Sequence, residues 1–260
     1  MTPPHHPDTA AIVLAAGQGT RMNSDLAKVL HPMCGEPLLA HVLGALDATG
    51  VGRVLVVIGH QRDRVRAAFS DPRIEWVVQA EQRGTGHAIQ MAAPALTGFT
   101  GTLLVAYGDT PLLRGATLRA LLEHHAASGA AVTVLSARVP DASGYGRIVR
   151  DAGSGRVAIV EERDATPAQT SIDEINSGIY AFRYPVLERV LGRLTPGNAQ
   201  GEYYLTDTLS LIQDAGHAAE VLCADDWHEM LGINTPAQLA EAERIHAQRQ
   251  GGLGPPPGRR

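Results

Sequence analysis

The chain has 260 residues, 44% of them hydrophobic, so it can bury a substantial core as one large α/β domain or two small ones. Its 27 acidic residues outnumber its 22 basic residues, and the net charge of -5 argues against nucleic acid or an anionic membrane as a partner. Any anion site must therefore be local. Cys34 and Cys223 lie far apart without a CxxC pattern, which argues against a zinc cluster or a disulfide framework and favours a reducing cytoplasm.

The first residues do not have the pattern of a targeting signal. Residues 1–9 are rich in proline and histidine and lack an apolar run, and no stretch approaches the roughly 18 apolar residues of a membrane span. Residues 251–260 contain a proline triplet and four glycines, a composition typical of disorder. We therefore expect disordered segments at 1–10 and 251–260, and one folded domain over 11–250.

The first half of the chain predicts alternating strands and helices. Residues 11–15 form a short apolar run closed by Gly17, the pattern of a buried parallel strand that ends in a loop. The predicted strands are 11–15, 54–58, 76–79 and 101–106, and the predicted helices are 37–49, 63–69 and 84–93. This alternation predicts an α/β fold with a doubly wound, mostly parallel mixed sheet of the Rossmann-like type.

The second half predicts a small antiparallel extension and a helical end. Four runs predict strands that widen the edge of the sheet: 130–139, 147–150, 156–161 and 179–182. Later patterns predict helices over 185–194 and 204–215 and strands over 219–222 and 229–233. A last helix begins at a capping-box pattern, with Thr235 as N-cap, Pro236 at the first helical position and Gln238 three residues on. Asn234 then lies between a strand end and a helix start.

The loop after the first strand has the composition of a phosphate site. Gly17 and Gly19 allow backbone amides to turn inward and form an anion-binding nest. Arg21 follows, and Lys28 is the only lysine of the chain. A flexible ammonium suits phosphate, although a single lysine is equally compatible with a solvated surface position. The GxxxxGK[ST] and GxGxxG patterns are both absent, which argues against a P-loop and a Rossmann dinucleotide site.

Asp109 is a candidate magnesium ligand. It follows an apolar strand, at the end where α/β sheets present side chains to ligands. Magnesium is often held by one or two protein oxygens, with water and phosphate supplying the rest, so Asp109 with the Asn234 carbonyl can suffice. Taken singly, a Gly-Asp pair is also typical of a turn, and Asn234 of a helix start.

Seven motifs, in order along residues 11–248, resemble one enzyme family. They are Leu14-Ala-Ala-Gly-x-Gly-Thr-Arg-Met22, Lys28-Val-Leu-His31, Gln79-Ala-Glu-Gln-x-Gly-Thr-Gly-His87, Tyr107-Gly-Asp109, Gly144-Tyr-Gly-Arg-Ile148, Glu174-Ile-Asn-Ser-Gly178 and Gly201-Glu-Tyr-Tyr-Leu-Thr-Asp207. The chain is similar to the uridylyltransferase domain of bacterial bifunctional N-acetylglucosamine-1-phosphate uridylyltransferase/glucosamine-1-phosphate acetyltransferase. The combination of motifs is far more specific than the glycine-rich loop alone.

The resemblance implies a role for each matched position. The implied nucleotide contacts are Leu14, Ala16 and Gly17, together with Gln79, Gly84 and Thr85, which select uracil. The implied sugar contacts are Gly146, Glu161 and Asn176, with Tyr107 and Gly108 shaping the pocket. The implied catalytic residues are Arg21 and Lys28, which hold phosphates, and Asp109, which binds Mg²⁺ with Asn234. A glutamine amide offers a donor and an acceptor side by side, which can pair with the imide edge of uracil.

The reaction implied is uridylyl transfer from UTP to N-acetyl-α-D-glucosamine 1-phosphate, which yields UDP-N-acetylglucosamine and pyrophosphate for cell-wall precursor synthesis. A phosphate monoester has a second pKa of about 6, so the nucleophile needs no general base. The histidines are accordingly assigned no catalysis: His87 is placed at a helix start, and His124 and His125 on a polar helix face.

Three departures from the family pattern stand out. Ala27 replaces a proline before the lysine, so a less rigid loop is expected there. Gln18 replaces a common cation and removes a possible phosphate contact. The family's β-helix of hexapeptide repeats has no counterpart after Gln250, so we expect no acetyltransfer and a monomer or weak oligomer.

Two alternative functions remain at this point. A related enzyme can use another nucleotide with another sugar 1-phosphate, since one scaffold hosts several substrates. A non-catalytic sugar-nucleotide-binding regulatory subunit is the second alternative. Such a subunit can lose the charged cluster, whereas all four of its members are present in this chain: Arg21, Lys28, Asp109 and Asn234.

Overall fold

The computed structural model describes residues 6–251, which fold around a nine-stranded mixed sheet. Its strands are β1 (His6–Ala15), β4 (Val51–Ile58), β5 (Ile74–Val78), β6 (Thr102–Tyr107), β7 (Val132–Arg138), β8 (Arg147–Arg150), β9 (Val157–Val160), β10 (Glu174–Arg183) and β11 (Ala219–Ala224). Two short strands, β2 (Pro32–Met33) and β3 (Glu36–Pro37), pair antiparallel in a separate small sheet. The helices are α1 (Leu38–Asp47), α2 (Arg62–Ala67), α3 (Thr85–Ala92), α4 (Gly115–Ser128), α5 (Pro167–Thr170), α6 (Tyr184–Leu191), α7 (Thr208–Asp214) and α8 (Pro236–Gln250).

The sheet has a hydrophobic core on each face. Alternate residues of β1 point to opposite sides, so that Ile12 and Leu14 join one core while Ala11 and Val13 join the other. Because both faces are covered, residues 10–15 of the strand are all apolar and do not alternate with polar residues. The predicted doubly wound α/β fold is confirmed.

The strand order differs from the prediction at β10. The order is β11, β7, β10, β6, β1, β4, β5, and β10 runs antiparallel to both β6 and β7. Strand β8 pairs with β10, and β9 pairs with β8. The runs 130–139 and 179–182 were both expected at the edge of the sheet. Strand β7 lies inside, between β11 and β10. Strand β10 also lies inside, because nine of its ten residues are buried and a strand buried on both faces needs neighbours on both sides. The expected antiparallel pair at the edge is β8 with β9.

Three local predictions need correction. Strand β1 begins at His6, although residues up to 10 were expected to be disordered. No strand forms over 229–233; a short 3-10 helix, Trp227–Met230, and an irregular segment take its place. His125 was expected on a polar helix face, but it is only 5% exposed because that face of α4 packs on β7.

Helix α8 connects the end of the chain to the loops at the sheet edge. Thr235 caps it by accepting the Gln238 backbone N–H at 3.2 Å, as predicted, while the Gln238 side chain accepts the Asn234 backbone N–H at 2.8 Å. A small third core packs Ile245 of this helix with Met22 and Leu112, which follow β1 and β6. The loops after two central strands are thereby fastened to one helix.

None of the helices within residues 6–251 has the length and apolar character needed to cross a bilayer. The predicted disorder at 1–5 and 252–260 lies outside the described residues.

Candidate active site

The loop after β1 brings two cationic residues together. Gly19 adopts a left-handed backbone with a φ of 67°, and a Cβ atom built there would lie 2.5 Å from the Cβ atom of Lys28. Glycine is therefore required both by the backbone conformation and by the close approach of the lysine. The 3-10 helix Thr20–Met22 follows, and the exposed side chain of Arg21 on it lines the same cleft as Lys28.

Two hydrogen bonds to the Gln61 side chain hold the backbone before Lys28 in place. Ala27 donates its backbone N–H to Gln61 Oε1 at 3.2 Å, and the Gln61 side-chain nitrogen donates to the Asp25 carbonyl. A proline at position 27 has no N–H and would lose the first of these bonds. The expectation of a looser loop at Ala27 is therefore revised, because these hydrogen bonds restrain the segment.

The Lys28 ammonium bridges two oxygens from distant parts of the chain. Its Nζ forms an ion pair with the Asp109 carboxylate and donates to Asn234 Oδ1 at 3.0 Å. The main chain joins the same two segments, since the Ile233 N–H donates to the Asp109 carbonyl at 2.8 Å. Asp109 is 8% exposed, so this contact is largely shielded from water. The two side-chain oxygens thus converge on the position of one cation.

These two oxygens also fit the predicted magnesium site. Within residues 6–251, no group of three or more His, Cys, Asp or Glu side chains is arranged to hold a metal ion. Magnesium in phosphate-transfer sites typically takes one or two protein oxygens and completes its octahedron with water and phosphate. Asp109 Oδ2 and Asn234 Oδ1 are such hard donors. Lys28 and a metal ion would compete for them, because both are cations that need the same oxygens.

An ion pair between a buried carboxylate and a half-exposed guanidinium holds the Asn234 segment against the Asp109 segment. Glu229, only 3% exposed, accepts the Arg114 backbone N–H at 2.9 Å and pairs with the Arg114 side-chain Nε at 2.8 Å. Arg249 of α8 donates to the Leu112 carbonyl at 2.8 Å. These contacts join residues 115 and 137 positions apart and belong to no short motif, so the sequence did not predict them.

Two adjoining clefts meet at this cluster. Lys28, Tyr107 and Asp109 line both clefts. The first cleft is lined by all six residues predicted to contact the nucleotide: Leu14, Ala16, Gly17, Gln79, Gly84 and Thr85. The second cleft is lined by most of the remaining predicted residues: Arg21, Gly146, Glu161, Asn176 and Asn234.

Gly108 lines neither cleft. It is buried, and a Cβ atom there would lie 3.2 to 3.3 Å from the side chains of Leu39, Ala15 and Val29. The resemblance assigned it to the sugar pocket. The structure instead gives it a packing position next to Tyr107, where a larger residue would press on the core.

Tyr107 separates the two clefts. Its ring packs against Gly178, where the Cβ atom of any other residue would overlap the ring. Burial raises the pKa of the Tyr107 hydroxyl well above its ordinary value of 10.0, and the carboxylates of Glu161 and Asp109 raise this pKa further. The phenol is therefore neutral near pH 7.

Glu161 is the acidic residue that lines the second cleft alone. Burial raises the pKa of its carboxyl above the ordinary value of 4.5, and a hydrogen bond from the Thr206 hydroxyl, at 3.4 Å, opposes the shift. Gly146 leaves space beside it, since a Cβ atom there would lie 3.3 Å from Glu161 Oε2. A ligand hydroxyl that donates to this carboxylate would replace the water that burial removes.

Gln79 presents a single kind of polar atom to the first cleft. Its side-chain nitrogen donates to the Gly84 carbonyl at 3.0 Å and to His87 Nδ1 at 3.1 Å, which uses both of its N–H groups. The oxygen Oε1 is left for a ligand. From the sequence, the Gln79 amide was expected to offer a ligand both a donor and an acceptor. The structure corrects this to an acceptor alone, because the Gly84 carbonyl can only accept and so keeps the amide nitrogen on its side.

The motif over residues 201–207 covers the start of α3. The Gly86 N–H donates to the Tyr203 carbonyl at 2.8 Å, so this segment is joined to the helix by its backbone. Glu202 thereby lines the first cleft, and Thr206 lies beside the carboxylate of the second. No role was predicted for Glu202 or Thr206, although the motif over residues 201–207 was recognised in the sequence.

Comparison with known proteins agrees with this geometry. The chain is 52% identical over 240 residues to the bifunctional protein GlmU of Streptomyces avermitilis and 50% identical over 242 residues to that of Thermobifida fusca; each match covers 91% of this chain and 50% of the relative. The bifunctional protein GlmU of Pelobacter propionicus is 48% identical over 243 residues, which are 93% of this chain and 53% of that protein. The chain therefore spans about half the length of the curated relatives it matches.

A family model places these similarities in a wider group. The model of the MobA-like NTP transferase domain matches residues 11–172, which is more than half of the chain. The matched region contains the glycine-rich loop, Lys28, Gln79 and Asp109, and thus the whole lining of the first cleft apart from Glu202. On this evidence the chain belongs to the MobA-like NTP transferase domain family.

Proposed function

We propose that this chain transfers the uridylyl group of UTP to N-acetyl-α-D-glucosamine 1-phosphate, with release of pyrophosphate and formation of UDP-N-acetylglucosamine. One observation carries the proposal. A cleft with the predicted nucleotide residues and a cleft with the predicted sugar residues meet at Lys28, Tyr107 and Asp109, beside Asn234. The identity of about half of the residues to GlmU proteins supports this choice of substrates.

The first cleft suits a uracil base. Gln79 Oε1 is an acceptor that can take the imide N–H of uracil, while the ring nitrogen at the same place in cytosine has no hydrogen to donate. The glycine-rich turn after β1 brings backbone amides to the same cleft, where they can meet phosphate oxygens.

The second cleft suits an N-acetylated sugar. The Glu161 carboxylate can accept from sugar hydroxyls. Asn176, whose Oδ1 accepts the Gly178 N–H at 3.0 Å, keeps its amide nitrogen as a donor for an acetamide carbonyl. Both sugar groups would otherwise lose hydrogen bonds to water on binding, which costs about 1 to 3 kcal/mol for each unpaired group.

Charge is the main obstacle to this reaction. A sugar phosphate oxygen must attack the α-phosphorus of UTP in line, and each pair of unit charges near 4 Å repels by about 4 kcal/mol at an effective dielectric constant of 20. Arg21 and Lys28 supply positive charge where the clefts meet. A magnesium ion held by Asp109 and Asn234 would supply more, by neutralising triphosphate oxygens. The site needs no general base, because the nucleophile is already largely deprotonated near pH 7.

We also propose that the protein works in the cytoplasm, in the synthesis of a cell-wall precursor, as a monomer or weak oligomer. The free, exposed Cys34 and Cys223 suit a reducing compartment. Light scattering on the purified chain tests the oligomeric state.

The test of the activity is pyrophosphate release by the purified chain. UTP, CTP, GTP and dTTP are each supplied with N-acetylglucosamine 1-phosphate or glucose 1-phosphate, in magnesium or in EDTA. We expect turnover with UTP, N-acetylglucosamine 1-phosphate and magnesium. Faster turnover with another pair of substrates would replace the proposed reaction by a different nucleotidyl transfer. Binding of both substrates without turnover would show a sugar-nucleotide sensor instead.

A further inference from the structure

We infer that His87 is a positioning residue for base selection: it holds the Gln79 amide so that only Oε1 faces the first cleft. The inference rests on the proposed function and deepens it, since it concerns how the same site tells UTP from CTP. The two pyrimidines are nearly equal in size, so discrimination between them depends on donors and acceptors more than on shape.

The orientation of the Gln79 amide follows from its two partners. Gln79 is 3% exposed, so its side chain has little freedom to rotate. The Gly84 carbonyl, 3.0 Å from the side-chain nitrogen, can only accept, which identifies the atom that faces it as Nε2. The second hydrogen of Nε2 points to His87 Nδ1 at 3.1 Å. Both donors are satisfied within the protein, and Oε1 is the remaining atom of the amide.

His87 can accept this hydrogen in only one neutral form. Nδ1 must carry a lone pair, so the ring proton must be on Nε2. The ring is half-buried on the first turn of α3, with its centroid 6.3 Å from that of Tyr203. Tyr203 is itself covered by the Arg83 guanidinium, whose central carbon lies 5.1 Å from the ring centroid. These contacts restrain the imidazole in the position that Gln79 needs.

Removal of the His87 acceptor would free one edge of the amide. One Nε2 hydrogen would lose its partner inside the protein, and an unpaired buried donor is unfavourable. The Gly84 carbonyl would still hold the other N–H, so the amide could swing about that hydrogen bond and turn the freed N–H toward the cleft, where it would pair with the unprotonated ring nitrogen of cytosine. The site would become less selective between the two bases, without direct contact between His87 and the nucleotide.

The test compares kcat/KM for UTP and CTP in three proteins. His87→Leu keeps a side chain of similar size but removes the acceptor. His87→Asn keeps an acceptor oxygen close to the place of Nδ1. We expect the ratio of kcat/KM for UTP over CTP to fall about tenfold in His87→Leu, as for one lost polar restraint, and to stay near the wild-type ratio in His87→Asn. His217→Leu, outside both clefts, is the control and should leave the ratio unchanged.

Equal losses for both nucleotides in His87→Leu would overturn the inference, because a purely structural defect lowers both values alike. A measurement on the wild-type protein covers the case in which His87→Leu does not fold. Nitrogen-15 NMR of labelled histidine should show His87 as the Nε2–H form near neutral pH, and a proton on Nδ1 would contradict the proposed hydrogen bond.

The two proposals fail separately. If the wild-type chain shows no turnover of UTP with N-acetylglucosamine 1-phosphate, the proposed function is wrong, and the NMR measurement still decides whether His87 accepts from Gln79. If the wild-type chain turns over UTP while His87→Leu keeps its selectivity, the role of His87 alone is wrong.

Discussion

Lys28 and Arg21 line the same cleft, but their charges are held differently. The Lys28 ammonium is already paired with Asp109 and hydrogen-bonded to Asn234, and its side chain is 15% exposed. Arg21 is exposed and lines the second cleft only. Lys28 therefore has to exchange partners when a phosphate or a metal ion arrives, whereas Arg21 can meet a ligand directly.

Lys28→Met should separate two effects of the ammonium. Turnover should fall on the order of 10²-fold or more, because a positioned charge donor is lost. Binding of Mn²⁺ to the nucleotide-free protein should become tighter, because the Asp109 carboxylate no longer has a competing cation. Electron paramagnetic resonance of free Mn²⁺ measures the second effect, with Arg73→Met as a control for the loss of a cation elsewhere on the surface.

The metal measurement can contradict this view of Lys28 without any assay of turnover. Unchanged or weaker Mn²⁺ binding in Lys28→Met would show that the ammonium and the metal ion do not share oxygens. Asp109→Asn supplies the reference, because it removes the carboxylate charge itself and should weaken Mn²⁺ binding.

Arg21→Ala should lower kcat on the order of 10²-fold with a smaller change in KM. The physical reason is that the developing charge in phosphoryl transfer is greatest in the transition state, so a lost cation acts there more than on ground-state binding. Steady-state kinetics with varied UTP checks both parameters. Near-normal turnover would remove Arg21 from the assigned role.

At the scale of elements, local patterns predicted most of the fold. The alternation from β1 to β6 was predictable because each strand has its own apolar run and each helix its own period. The position of β10 within the sheet was not, because the pairing of a strand is set by which neighbours bury it. The absent strand at 229–233 has the same origin: Glu229 is buried against Arg114, and the Ile233 N–H bonds to the Asp109 carbonyl instead of a strand.

The site shows the same difference between what local sequence predicts and what only the packing of distant segments determines. Short motifs identified the residues that line the two clefts, because each motif carries its own turn or strand end. The contact of Lys28 with Asp109 joins residues 81 positions apart, and its contact with Asn234 joins residues 206 apart. Those contacts depend on how the loops after β1 and β6 and before α8 pack together, which no single segment encodes.

Glu229→Gln should weaken the contact between the loop after β6 and the segment before α8. Glutamine can still accept the Arg114 backbone N–H, but it lacks the charge that pairs with the guanidinium, so the Asn234 segment should be held less firmly. The magnesium concentration for half-maximal rate should rise about tenfold, as for the loss of a group that supports a metal ligand, with little change in kcat at saturating metal.

Magnesium titrations of the steady-state rate check this expectation. Glu220→Gln on the exposed face of β11 is a matched control, since it also neutralises one glutamate. A rise in the metal requirement of both variants would point to the net charge of the molecule. A fall in kcat alone would show that Glu229 does not act through the metal ligands.

The response of the whole molecule to acid should depend on a histidine far from the clefts. His125 of α4 is 5% exposed, and its Nδ1 lies 2.9 Å from the Thr133 hydroxyl of β7. Burial lowers the pKa of this histidine from 6.5 to about 4, and the positive charges of Arg183 and His124 act in the same direction. The folded protein therefore resists a proton that the unfolded chain accepts readily.

The sign of the pH dependence follows from this difference. Between pH 6.5 and about 4 the unfolded chain binds a proton at His125 that the folded chain does not, so the free energy of unfolding falls as the pH is lowered through that range. The carboxyls of Glu161 and Asp207 act in the opposite sense, because partial desolvation raises their pKa and the folded state accepts their protons more readily. Of these three groups, His125 alone makes the free energy of unfolding fall as the pH is lowered, and its range begins near pH 6.5, so His125 should dominate the first part of the decline.

His125→Asn should therefore flatten the acid side of the stability profile. Asparagine can keep a polar contact with Thr133 but does not titrate, so the melting temperature should fall less between pH 7 and pH 5 than in the wild type, by a difference on the order of 5 °C. Thermal unfolding followed by circular dichroism at several pH values measures it, and His217→Asn controls for the loss of a histidine outside the core. If the melting temperatures of the wild type and His125→Asn fall in parallel, the buried imidazole does not link folding to protons. If the variant is less stable at pH 7 and converges with the wild type at pH 5, His125 is the group that links them.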